Sequence, residues 1–142
     1  MAAWLLKTEP DVFSWDDLVA RGAAGEPWTG VRNHQAKGFL AAMSPGDVAL
    51  IYHTGAEKRV MGLAEVIRAA YPDPTDPTGA FVCVDVKAQE PLKRPVALGV
   101  LKAQAALAGM MLVRAPRLSV QPVTDEEFAV VMTCAADIET GR

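Results

Sequence analysis

The sequence predicts an α+β domain: a curved, mostly antiparallel sheet or small β-barrel with helices packed around it. Three observations carry that expectation. Short runs rich in aliphatic and β-branched residues recur at positions 4–6, 48–53, 60–67 and 81–86. Helical segments with their own start signals lie between and after these runs. The two kinds of element do not alternate regularly, as a doubly wound parallel sheet requires. A chain of 142 residues, 51% of them hydrophobic, fits one domain whose core needs no disulfide or metal. Residues 1–134 are expected to form that domain and 135–142 a frayed C-terminal tail. No repeat, low-complexity segment or linker divides the chain.

In order along the chain, Trp4-Leu5-Leu6 reads as a buried strand, turned by Glu9-Pro10-Asp11. Ser14 is placed to cap a short helix over residues 15–21, with Asp16 and Asp17 at its positive end and Gly22 stopping it. A Gly- and Pro-flanked loop follows at 25–30. Asn33 is positioned to cap a second helix running to about Met43, and Ser44-Pro45-Gly46-Asp47 is a turn. Three strands are expected at 48–53, 60–67 and 81–86, the last two separated by a loop holding Pro72, Pro74, Pro77 and Gly79. Residues 97–107 carry a helical apolar pattern. Residues 118–123 read as a short strand that Pro122 ends. Thr124 and Glu127 form a capping box for a final helix.

Charge and composition exclude several function classes. The formal net charge is −3, whereas a protein that coats phosphates carries a basic excess. Extensive non-specific binding to duplex DNA is therefore not expected, and any nucleic-acid contact should be local. Cys83 and Cys134 fit neither a CxxC pair nor a metal-ligand spacing, and Cys83 reads as a small buried hydrophobe. No signal peptide or run of about 20 apolar residues is present, so the cytoplasm is the expected location and no membrane the expected partner. There is no GxSxG, Walker loop, HExxH or dinucleotide fingerprint. His34 and His53 lie on different elements with no catalytic frame around either. No catalytic residue, metal ligand or cofactor is expected.

Four short segments combine aromatic with polar or charged groups at the ends of expected elements: residues 4–10, 28–35, 52–55 and 117–122. That mixture suits a planar polar ligand. A ring offers a stacking face worth roughly 1–3 kcal/mol per base, amides and hydroxyls read a base edge, and Arg or Lys holds a phosphate. Each residue also has a plainer role. Trp28 either stacks on a ligand or packs in the core; Asn33 caps a helix and can also line a pocket. Arg32 and Lys7 can be solvated surface charges. Tyr52 and His53 alternate along one strand and so face opposite ways. Ser119 and Gln121 share one face of theirs.

Taken together, Trp4-Leu-Leu-Lys-Thr-Glu-Pro10 with Phe13-Ser-Trp15, then Trp28-Thr-Gly-Val-Arg-Asn33, Tyr52-His53-Thr54, Gly62-Leu-Ala-Glu-Val66, Tyr71-Pro-Asp-Pro-Thr75 and Arg117-Leu-Ser-Val-Gln-Pro-Val123 resemble the successive motifs of EVE-domain proteins. The resemblance spans about residues 3–132. It implies a PUA-like fold and a reader of modified bases, in DNA or RNA. By that resemblance Trp28, Asn33, Tyr52, His53, Thr54, Ser119 and Gln121 line the base pocket. Lys7, Thr8, Arg32 and His34 stand near its mouth. His34 replaces a common tyrosine, exchanging a phenol for a group that ionises near neutral pH. Thr54 replaces a common serine, and the segment from Tyr71 to Phe81 is shorter than in longer members. The expected partner is nucleic acid presenting a single-stranded or flipped modified base, such as a modified cytosine, since unstacking costs a few kcal/mol in a duplex. The alternatives are a sensor of a free nucleoside, a protein-interaction module without a nucleobase site, and an enzyme acting on a modified nucleotide through Lys7 or His53.

Overall fold

The structure is a computed structural model that describes residues 2–136. Six strands form one sheet in the order β2-β5-β4-β3-β1-β6. They are β1 (Ala3–Thr8), β2 (Glu26–Pro27), β3 (Val48–His53), β4 (Arg59–Pro72), β5 (Val82–Ala97) and β6 (Val120–Val123). Only β1 and β3 run parallel; every other pairing is antiparallel. The α+β class is as expected. The strand pairing gives an open sheet with β2 and β6 at its edges among the described residues, so it does not close the expected barrel.

Strict alternation builds two apolar layers. Trp4, Leu6, Ala49 and Ile51 face one side, while Ala3, Leu5, Val48, Leu50 and Tyr52 face the other. The first layer is covered by α1 (Trp15–Ala20) and α2 (His34–Ala42), through Trp15, Leu18, Ala36 and Leu40. The second is covered by α3 (Leu98–Lys102), α4 (Met111–Arg114) and α5 (Asp125–Ala136), through Leu101, Leu112, Val131 and Ala135. The caps act as read: Ser14 and Asp17 close a capping box, Asn33 accepts from the Ala36 amide, and Thr124 and Glu127 bond reciprocally.

Differences from expectation have physical causes. β4 and β5 are longer than their apolar cores because register shifts let them stay paired through polar and proline-containing stretches. Pro122 does not end β6; it pairs with Trp4, because β6 is an edge strand and its missing N–H breaks no ladder. The helix expected over 97–107 is split into α3 and a 3₁₀ turn (Ala105–Leu107), which lets Leu101 and Leu107 both reach the second layer. Ala135 and Ala136 belong to α5, and the rest of the expected tail lies outside the described residues. Neither Cys83 nor Cys134 forms a disulfide among the described residues, and Cys83 is buried.

Candidate functional site

On the first layer's side, the end of β1 and the chain either side of β2 enclose a cleft of about 570 Å³. That is within the usual range of small-ligand pockets. Its lining includes Lys7, Thr8, Phe13, Trp28, Arg32 and Ser119. Trp28 enters through a backbone bond from its N–H to the Val84 carbonyl, which fixes the segment against β5. Its ring is packed in the first layer, only 7% exposed, and meets the Phe13 ring edge-on at 6.0 Å. Trp28 therefore has little free ring face left for stacking. Its indole N–H has no hydrogen-bond partner among the described residues and is not sealed from solvent; Gln121 Oε1 is the one side-chain polar atom so sealed. The Ser119 hydroxyl is likewise without a partner among the described residues. Thr8 is occupied, donating to the Phe13 carbonyl at 2.6 Å.

The cations around the cleft are all engaged. Lys7 donates to the Pro116 carbonyl at 2.6 Å and lies 5.8 Å from the Tyr52 ring centre, and burial lowers its pKa. Arg32 pairs with Asp73 at 3.1 Å and donates to Thr75 at 2.9 Å. Arg21 pairs with Glu26 at 2.8 Å and lies over Phe13.

The other expected pocket residues are not gathered here. Tyr52 faces the second layer, because β3 alternates and its neighbours Leu50 and Val48 face that layer too. His53 faces the opposite way but is 4% exposed. Its Nε2 accepts from the Trp15 N–H at 2.9 Å, so Nδ1 donates to Glu57 at 2.8 Å: it orients α1 rather than a ligand. Thr54 donates to the Thr8 carbonyl, bracing the end of β1. Gln121 is fully buried and donates to the carbonyls of Ala115 and Leu118, so it does not join Ser119 at the cleft. Asn33 caps α2 and lines a neighbouring groove. His34 is exposed and packs against Phe81 at 5.0 Å between ring centres.

Comparison with known proteins decides the family. The EVE-domain family model matches residues 2–134. The chain belongs to the EVE-domain family. Human thymocyte nuclear protein 1 is 35% identical over 162 aligned positions, covering 92% of this chain and 72% of that one. A Rhodopseudomonas palustris protein solved by NMR is 56% identical with a TM-score of 0.91, covering 97% of this chain and 95% of its own. Human THYN1 protein, solved in complex with DNA containing 5-methylcytosine, is 34% identical with a TM-score of 0.88, covering 95% and 98%.

In this EVE domain the residue that builds the cleft wall is Asp73, which the sequence analysis includes only within the Tyr71–Thr75 motif. Its buried carboxylate accepts from the Gly30 amide at 2.9 Å, from Arg32, and from the amide and hydroxyl of Thr75. Burial pushes its carboxyl up, but these hydrogen bonds outweigh burial and hold it at about 2. Asp76 repeats the turn with Thr78. The signal was present: Asp-Pro-Thr occurs twice in succession at 73–78, a short repeat, and Asp is a side-chain turn former. Phe13 was also missed as a cleft residue, being read only as part of the opening motif. Among the described residues no three His, Cys, Asp or Glu gather as a metal site, and no helix is long and apolar enough to cross a membrane.

Proposed function

We propose that this EVE domain is a nucleic-acid-binding module that holds a modified nucleobase, such as a modified cytosine, in the cleft between Thr8, Phe13, Trp28 and Ser119. The observation that carries the reading is the cleft itself. It is walled by two aromatic rings, and the Trp28 indole N–H and the hydroxyls of Thr29 and Ser119 in its lining have no hydrogen-bond partner among the described residues. A relative of nearly the same length and fold, solved with DNA containing 5-methylcytosine, supports it.

The magnitudes assign the roles. Burying one methyl group contributes about 0.8 kcal/mol, roughly a fourfold preference. Stronger discrimination requires a hydrogen bond that the wrong base leaves unmade. The side chains of Trp28, Thr29 and Ser119 are free to make one. Tyr52, His53 and Gln121 act from beneath, holding the frame. The base enters from a single strand or by flipping, in DNA or RNA, and the cytoplasm remains the proposed compartment.

The test is a titration of labelled oligonucleotides at fixed salt: DNA and RNA, single-stranded and duplex, with cytosine unmodified, methylated or hydroxymethylated. The expected result is tighter binding of one modified strand. Trp28→Phe, which keeps a ring and deletes the N–H, should weaken that binding about fivefold. No binding of any strand up to about millimolar would turn the reading to a protein-interaction module.

A further inference from the structure

A strand held by its base must lay its phosphates somewhere, and the three cations of the cleft are already committed to Pro116, Glu26 and Asp73. A second depression, a groove of about 450 Å³, adjoins the cleft. It is lined by Asn33, Gln35 and residues 115–118. Arg32 and Ser119 line the cleft, and their chain neighbours Asn33 and Leu118 line the groove. Consecutive Cα atoms are about 3.8 Å apart, so the two linings meet along both segments.

Arg117 lines this groove. It is exposed, and its guanidinium makes no ion pair or hydrogen bond among the described residues. A guanidinium presents a planar fork of donors that matches a phosphate. The loop that carries it is tied down at three carbonyls: Gln121 donates to Ala115 at 3.2 Å and Leu118 at 2.9 Å, and Lys7 to Pro116 at 2.6 Å. The free cation therefore stands on a fixed support beside the base cleft.

Resting on the base-binding reading, we infer that this groove takes the sugar-phosphate backbone next to the held base, with Arg117 on a phosphate. The partner is then a polynucleotide strand rather than a free base or nucleoside. DNA and RNA share this phosphate chemistry, so matched strands of both are titrated, each with methylated and unmodified cytosine, over a salt series. Arg117→Ala should weaken both strands of a pair by the same factor, about tenfold. It should lower the salt slope by about one while leaving the methyl preference intact. Arg117→Lys should keep most of the slope, and Arg117→Glu should lose more than Arg117→Ala. All three replace an exposed side chain, and thermal unfolding checks that they fold as the wild type does. An Arg117→Ala protein with wild-type affinity and slope overturns the groove assignment and leaves the cleft reading standing. Loss of methyl preference in the wild type sinks the cleft reading, and with it this inference.

Discussion

Asp73 joins two loops with one carboxylate. It holds Gly30 and Arg32 from the cleft wall and Thr75 from its own turn. Its folded pKa of about 2 lies below the ordinary aspartate value of about 3.9. A depressed carboxylate contributes stability that is present above the unfolded value and is lost as pH falls through the folded one. The window here is therefore about pH 4 down to about pH 2. At 1.36 kcal/mol per unit, the contribution is on the order of 2 kcal/mol. Asp76, also held at about 2 by Thr78, acts in the same direction. Asp73→Asn should destabilise the fold by about 1–3 kcal/mol at neutral pH. It should also flatten the acid loss between pH 4 and 2, measured by urea unfolding across that range. Parallel acid losses in variant and wild type would show that Asp73 is not the group responsible. The turn-forming habit of Asp-Pro-Thr can be read from the sequence. That Asp73 reaches Gly30, 43 positions away, cannot, because no local pattern states which loop lies opposite.

α1 has six residues, too short to be stable alone. Three features hold it: the Ser14–Asp17 capping box, the His53 ring accepting the Trp15 N–H, and Gly62, where a Cβ would come within 2.5 Å of the Trp15 ring. Phe13 and Arg21, which line the cleft, flank the helix and its Ser14 cap, so α1 positions one wall of the cleft. Ser14→Ala should cost about 1 kcal/mol and raise amide exchange in α1 more than in β3, by hydrogen-exchange measurement. A uniform rise along the chain would mean that the cap acts globally rather than on this wall. Helix starts were legible because caps are local. β2 and α4 were not, since two and four residues carry no period and form only where β5 and the second layer receive them.

The molecule carries a net charge of −3, and the cations lining the cleft are spent on its own carbonyls and carboxylates. Binding through a pocket with one or two phosphate contacts should show a shallow salt dependence. The expected slope of log affinity against log salt is about −1 to −2, from about 0.7–0.9 per phosphate. A slope near −5 between 50 and 200 mM salt would require a basic face, and the reading of a local contact would fail.

By itself the sequence determined the α+β class, the helix caps and the family. These follow from composition, local hydrogen-bonding habit and ordered motifs, all of which are properties of neighbouring residues. Trp28, Arg32, Lys7, Thr8 and Ser119 do line one cleft. Only the tertiary structure decided what each of them presents there. Strand alternation sent Tyr52 to the other layer, His53 was taken by the Trp15 amide, and Gln121 by two loop carbonyls. A side chain's chemistry is written in the sequence, but its availability depends on which distant backbone groups need a partner, and that is settled only when the sheet brings them together.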